Sequence, residues 1–208
     1  DIAGLAAMAD MYRHGEGGVK QDFQEAVRYH KILAKKDHLI SMNNLASIYM
    51  NGTGNVEKDL KQGAKYLEMA VNHGFARSII PLAGIYLDGS GVPVDVDKAI
   101  KLLERAKAIG QPGACTVLGN IYNSEKYGRK DLEKALMIYT EGAEGGNKHA
   151  QYNLANAYLG GKGVAPDAET AVKLYRLSVK QNFSHAQYVL ASFHEKGLYG
   201  VKLDKAEA

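Results

Sequence analysis

One stretch of the sequence decides how the rest is interpreted. Residues 150–172 read AQYNLANAYLGGKGVAPDAETAV, in which an apolar helical pattern ends at two glycines and a new one starts behind Pro-Asp. A glycine-rich turn ahead of a helix can bind phosphate. Here no strand pattern precedes the turn, and Lys162 is not followed by Ser or Thr as a Walker loop requires. Because the same glycine pair recurs elsewhere in the chain, we interpret Gly161 and Gly163 as a turn between antiparallel helices.

The pattern Leu-Ala-x-x-Tyr-x-x-Gly recurs at an almost constant step. Its leucine position is occupied in turn by Met8, Leu45, Leu82, Leu118, Leu154 and Leu190. The steps are therefore 37, 37, 36, 36 and 36 residues. A fixed period in this range is typical of stacked supersecondary units.

A second helix follows each copy of the pattern and starts at an aspartate. These aspartates are Asp22, Asp59, Asp95, Asp131, Asp167 and Asp204, each four residues before a small residue. Such a side chain caps a helix by accepting from the free amides of its first turn. Asp22 and Glu25 also have the spacing of a capping box. Gly63 stands where other units have alanine, which predicts a helix weaker by about 0.5–1 kcal/mol.

The end of each second helix is marked by residues that tolerate the left-handed backbone conformation. They are Asp37, Gly74, Gly110, Gly146 and Asn182. No segment alternates with a period of two, so the sequence predicts an all-α fold. We expect one array over 1–208, with about five and a half units at approximately 4–40, 41–77, 78–113, 114–149, 150–185 and 186–208.

These units resemble Sel1-like repeats, which are relatives of tetratricopeptide repeats. The residues that carry the resemblance in one unit are Ala150, Leu154, Tyr158, Gly161, Gly163, Val164, Asp167, Ala171, Leu174 and Asn182. It covers nearly the whole chain, although the loop at 125–128 lacks the double glycine. The resemblance implies a right-handed α-solenoid whose first helices line a concave surface, and an adaptor role.

Composition excludes several classes of function. The net charge is +3 and no long basic run is present, so nucleic acid is not an expected partner. No apolar run is long enough to span a membrane. The single cysteine, Cys115, rules out an intrachain disulfide and favours a reducing compartment such as the cytoplasm. The chain starts at Asp1 without Met, so we expect a segment of a longer protein, in which any targeting sequence would be missing.

Catalytic and metal-binding patterns are weak in this sequence. His149 and His185 occupy equivalent positions and could approach each other, but no third ligand accompanies them. Asp95 and Asp97 fit a helix cap better than an acid–base pair. Cys115 has no histidine at a fixed relation to it. We therefore expect no enzyme activity, no metal and no cofactor.

The first helices carry an unusual number of amide and tyrosine side chains near the repeated leucine. Amides can hydrogen-bond the backbone of an extended peptide, and tyrosines supply rigid apolar area. The candidate partner-binding residues are Asn43, Asn44, Ser47, Asn120, Asn123, Tyr152, Asn153, Asn156 and Tyr188. They predict a non-catalytic scaffold that binds a protein or peptide partner.

Alternatives stay open at this point. The candidate residues could be ordinary exposed helix positions. The chain could instead be a cell-envelope protein that binds or hydrolyses glycans, or a purely structural segment of a multidomain protein.

Overall fold

A computed structural model describes residues 1–201 of the chain, which form eleven α-helices and no strand. The predictions for Asp204 and the last helix lie outside these described residues. The helices are α1 (Ile2–His14), α2 (Phe23–Ala34), α3 (Leu39–Asn51), α4 (Leu60–Asn72), α5 (Ile79–Asp88), α6 (Val96–Ala108), α7 (Pro112–Asn123), α8 (Leu132–Glu144), α9 (Lys148–Gly160), α10 (Ala168–Val179) and α11 (Ser184–Glu195). The all-helical fold class is confirmed.

The chain forms two compact units, the first covering Asp1–Leu102 and the second beginning at Leu103. In the first unit α1 packs on α2, α2 on α3, α3 on α4 and α4 on α5. In the second unit α7, α8, α9, α10 and α11 pack consecutively in the same way. The expected single array and its repeat limits stay a prediction.

Each helical hairpin is closed by the same backbone hydrogen bond. The N–H of the cap aspartate donates to the carbonyl of the tyrosine on the preceding helix. These bonds join Asp22 to Tyr12 (2.8 Å), Asp59 to Tyr49 (2.8 Å), Asp95 to Tyr86 (2.9 Å), Asp131 to Tyr122 (2.7 Å) and Asp167 to Tyr158 (3.0 Å). One residue thus ends the loop and begins the next helix.

The aspartate side chains cap the second helices as predicted. Each of the five described aspartates accepts from a backbone amide in the first helical turn, at 2.8–3.2 Å. The predicted capping box is wrong in its second half. The N–H of Asp22 already donates to Tyr12, and the Glu25 carboxylate pairs with Arg28 at 3.1 Å instead.

The predicted helix-ending residues all adopt the left-handed conformation. Their φ angles are 57° at Asp37, 87° at Gly74, 76° at Gly110, 79° at Gly146 and 56° at Asn182. Only glycine, or a short polar residue such as Asn or Asp, visits this region readily. The register assigned from the sequence is therefore confirmed at both ends of the second helices.

The repeated leucines form the core. Leu45, Leu82, Leu118, Leu154 and Leu190 are each at most 4% exposed, whereas Met8 is half-buried. With the exception of the half-buried Ala191, the small residues next to them and on the described second helices are also buried, which lets paired helices approach closely. A two-helix unit cannot bury such a stripe alone, so stability comes from contacts between neighbouring units.

Helix propensity alone does not determine whether glycine or alanine is more stable at position 63. A Cβ at this position would lie 2.5 Å from Cγ of Met50 and 3.3 Å from the carbonyl oxygen of Ala46. The glycine therefore makes room for the Met50 side chain, and the expected advantage of alanine is offset by this contact.

Replacing Leu118 with alanine tests the core. Leu118 is 0% exposed, so Leu118→Ala removes buried methyl groups and leaves a cavity, at an expected cost of about 2–5 kcal/mol in the free energy of unfolding. Leu177, which is 45% exposed, provides the matched control, and Leu177→Ala should cost much less. Urea denaturation measures both, and equal losses would contradict the assigned core face.

A buried histidine lies where α2 packs on α3. His30 is 2% exposed, and its Nδ1 is 3.0 Å from the Ser41 hydroxyl, which in turn is 2.8 Å from Nδ1 of His38. Its Nε2 has no hydrogen-bond partner among the described residues. Burial lowers the pKa of His30 from 6.5 to about 4. The positive charges of Arg13 and His38 lower this pKa further, whereas the negative charge of Asp10 raises it.

This histidine should make the stability depend on pH. The folded chain keeps His30 neutral down to about pH 4, whereas the side chain in the unfolded chain has its ordinary pKa of 6.5 and is protonated below that pH. The unfolded state thus binds more protons between these values, and stability falls on acidification by up to about 1.4 kcal/mol per pH unit.

The equivalent positions in the next two repeats hold Leu67 and Leu103. His30→Leu is therefore the substitution that removes the contribution of His30 to the pH dependence of stability. Urea denaturation between pH 4 and 6.5 gives the free energy of unfolding at each pH, and this free energy should depend less on pH in His30→Leu than in the wild-type chain. The same pH dependence in both proteins would refute the role assigned to His30.

Candidate functional site

The nine predicted binding residues fall in two places. Asn43, Asn44 and Ser47 lie on α3 in the first unit. The other six lie in the second unit on α7, α9 and α11, and four of these share one cavity.

That cavity has a volume of about 360 Å³, and we call it the asparagine cleft. Its lining consists of Asn120, Asn123, Tyr139, Asn153, Asn156, Ala157, Leu159, Gly160 and Lys162. Four amides and one ammonium group therefore face a single cleft.

Tyrosine hydroxyls hold two of these amides in a fixed orientation. Tyr139 donates to Oδ1 of Asn120 at 2.6 Å, and Nδ2 of Asn153 donates to the same oxygen at 2.9 Å. Tyr175 donates to Oδ1 of Asn156 at 2.6 Å. Among the described residues, the Nδ2 groups of Asn120 and Asn156 have no hydrogen-bond partner. These two amides therefore have their oxygens occupied and their N–H donors available.

The two tyrosines are suited to this role because they stay protonated. Both side chains are almost completely buried, at 2% exposure for Tyr139 and 0% for Tyr175. Burial raises the pKa of each phenol well above its ordinary value, since the interior disfavours the phenolate. Each hydroxyl consequently remains a hydrogen-bond donor over the whole physiological range.

The sequence pattern explains why this pairing occurs in two repeats of the second compact unit. It needs asparagine two residues after the repeated leucine and tyrosine four residues after the small residue of the second helix. The units containing Leu118 and Leu154 have both, whereas Ser47 and Gly84 occupy the asparagine position of the two preceding units. The sequence alone singles out the asparagines, but it does not reveal that Tyr139 and Tyr175 hold two of them.

Gly119 makes room for Tyr139. A Cβ at Gly119 would overlap the Tyr139 ring in its present position. In the next repeat, Tyr175 makes the equivalent bond to Asn156 beside Ala155, so glycine sets where the ring lies in this repeat and is not a general requirement for the bond.

The two predicted tyrosines differ from the asparagines. Tyr152 is half-buried within a group of rings, with centroids 5.7 Å from Tyr175, 5.3 Å from Phe183 and 6.1 Å from His185. Tyr188 is 76% exposed on α11. Neither is among the residues that line the asparagine cleft.

His149 and His185 both contact Phe183, with ring centroids at 4.7 and 5.1 Å. The two histidines are therefore neighbours through their shared contact with the Phe183 ring. Within residues 1–201, no group of three or more His, Cys, Asp or Glu side chains is placed to hold a metal ion.

The predicted residues of the first unit have local roles. Oδ1 of Asn43 accepts from the Ser78 hydroxyl at 3.0 Å, and the Ser47 hydroxyl accepts from Asn51 at 3.4 Å. Asn44 is half-buried.

A larger cavity of about 1000 Å³ lies elsewhere in the first unit, with Arg28, Lys31, Tyr49 and Lys58 in its lining. Sequence reasoning missed it because a second helix and the following unit's loop form it together.

The fold and the repeated hairpins define a helical repeat protein. The sequence profile of the Sel1 repeat matches residues 2–38, 39–75, 82–110, 112–147, 148–183 and 184–208. The chain therefore belongs to the Sel1 repeat family. A comparison with curated proteins finds none that matches. None of the helices within residues 1–201 combines the length and apolar character needed to cross a membrane.

Solved structures show the same architecture. A Sel1 repeat protein from Oxalobacter formigenes is 31% identical, with a TM-score of 0.82 over 100% of this chain and 84% of that one. A protective antigen of uropathogenic Escherichia coli is 30% identical, with a TM-score of 0.79 over 94% of this chain and 42% of that one. An immunity protein from Pseudomonas aeruginosa, at 20% identity and a TM-score of 0.58 over 96% and 77% of the two chains, shares the fold.

Two helical glycines give a matched test of the packing behind the cleft. Gly119→Ala should destabilise the chain by about 1–3 kcal/mol because its methyl group overpacks against Tyr139. Gly84→Ala should instead stabilise it by about 0.5–1 kcal/mol, since nothing lies within 4 Å of a Cβ at Gly84. Thermal and urea denaturation measure both variants. A stabilising effect of alanine at both sites would show that Gly119 has no role in placing Tyr139.

Proposed function

We propose that this chain is a non-catalytic binding protein that holds a segment of a partner protein in the asparagine cleft. The observation that carries the proposal is the pair of tyrosine–asparagine hydrogen bonds at 2.6 Å, which leave two amide N–H₂ groups available to a ligand. A peptide main chain offers carbonyl oxygens as acceptors for such donors.

Preorganisation supports this use of the amides. A side chain that is ordered only on binding loses rotamer entropy, at about 0.5–1.5 kcal/mol for each flexible group. Asn120 and Asn156 are already held by buried hydroxyls before any partner arrives. The cleft can therefore offer its donors at a low entropic cost.

The chemistry of the cleft supports binding rather than catalysis. Its lining contains no histidine, cysteine or carboxylate, so it offers no nucleophile with an adjacent base. The thiol of Cys115 lies elsewhere, and burial raises its pKa, which keeps it in the unreactive protonated form. The presence of an immunity protein among structures of this fold is compatible with a binding role.

The remaining candidate residues extend the proposal. The exposed ring of Tyr188 offers apolar contact area on α11 in the same unit. Asn43, Asn44 and Ser47 belong to a separate candidate surface on α3 of the first unit, for which the described contacts provide no shared cleft.

A peptide selection tests the function. A library of random displayed peptides is selected on the immobilised chain, and the affinities of the enriched peptides are measured by isothermal titration calorimetry. The double variant Asn120→Ala and Asn156→Ala removes the two amides whose N–H donors are available in the cleft and should weaken binding about tenfold or more. Thermal denaturation confirms that the variant is folded.

The control is Gln187→Ala, which removes an exposed amide on α11, outside the cleft. It should leave the affinity unchanged. A library that returns no binder, or binders indifferent to the double variant, would overturn the proposed function.

A further inference from the structure

The charge of the asparagine cleft is one-sided. Among the described residues that line it, Lys162 is the charged one and none is a carboxylate. Some lysines of the second unit are paired with carboxylates, as Lys107 is with Glu141 at 2.9 Å and Lys173 with Glu169 at 2.6 Å. Within residues 1–201, no carboxylate forms an ion pair with Lys162, so its charge is available to a bound molecule.

Two amides that line the same cleft also favour a ligand that accepts hydrogen bonds. Oδ1 of Asn120 accepts two hydrogen bonds and Oδ1 of Asn156 accepts one, all from within the protein. The Nδ2 groups of these residues remain as donors. A ligand group that accepts hydrogen bonds and carries negative charge would satisfy both Lys162 and these two donors, whereas an ammonium group would be repelled by Lys162.

The loop that carries Lys162 is held against the protein. Gly161 and Gly163 flank the lysine with φ angles of 63° and 74°. A Cβ at Gly163 would lie 2.6 Å from the carbonyl oxygen of Leu132, the first residue of α8. The N–H of Lys162 donates to the carbonyl of Ala157 at 3.0 Å. The backbone of the lysine is thus fixed at the rim of the cleft, and only its side chain must be ordered on binding.

We propose that the asparagine cleft selects an acidic segment, in which an Asp or Glu side chain pairs with Lys162 while neighbouring main-chain carbonyls accept from Asn120 and Asn156. The inference rests on the proposed function and adds the chemistry of the partner. Lys162 is then the residue that determines specificity, and the asparagines supply the part of the affinity that does not depend on sequence.

The experiment starts from the same displayed library, in which every peptide is fused through its C-terminus and so carries no free terminal carboxylate there. Acidic residues should be enriched in the selected peptides. One selected peptide is then synthesised with an amidated C-terminus, together with a form in which its acidic residue is replaced by the corresponding amide.

Both peptides are titrated into the wild-type chain, Lys162→Gln and Lys180→Gln by calorimetry. Lys180 is an exposed lysine at the end of α10, outside the cleft lining, and is the matched control. On the wild-type chain and on Lys180→Gln, the acidic peptide should bind about two- to fivefold more tightly than its amide form, as expected for an exposed ion pair. Added salt should reduce this preference on the wild-type chain, and on Lys162→Gln the two peptides should bind equally.

The outcomes separate the two proposals. Peptides that bind in the cleft with no preference for acidic residues, or a preference that survives in Lys162→Gln, overturn this inference and leave the binding function standing. If no peptide binds at all, both proposals fail.

Discussion

The close contact between paired helices at small residues is the constraint on which this structure depends. Alanine or glycine follows the repeated leucine on the first helix and recurs on the second, and these positions are buried apart from the half-buried Ala191. A larger side chain there would push the helices apart and open a cavity beside the leucines. The hairpins are therefore stabilised by the close packing of complementary side chains. The charged and polar residues outside the contact are free to differ from one repeat to the next.

Variation at two positions beside that contact converts a packing unit into a candidate site. Where the second helix carries tyrosine, as at Tyr139 and Tyr175, the buried ring brings its hydroxyl to an asparagine on the first helix. Where leucine stands instead, as at Leu67, the position serves only the core. A polar ligand surface can thus arise in one part of a repeat array without altering the hydrogen bond that closes each hairpin.

Most of the fold could be predicted from the sequence because it is set by local, recurring signals. The cap aspartates and the left-handed residues such as Asn182 have one physical reason each, repeated in register. The candidate site was predicted only in part. Asn120 and Asn156 stood out by composition, but their link to buried tyrosines depends on the rotation of one helix against the other. The role of Met50 beside Gly63 was hidden for the same reason, since propensity scales contain no information about tertiary neighbours.

The account stands on the claim that a buried hydroxyl holds a cleft amide in place. A double-mutant cycle with Tyr175→Phe, Asn156→Ala and the combined variant measures this interaction directly through the free energy of unfolding. We expect a coupling free energy of about 0.5–1.5 kcal/mol, the range of a hydrogen bond inside a folded protein. A coupling indistinguishable from zero would mean that the two side chains act independently, and the asparagine cleft would then lose its physical basis.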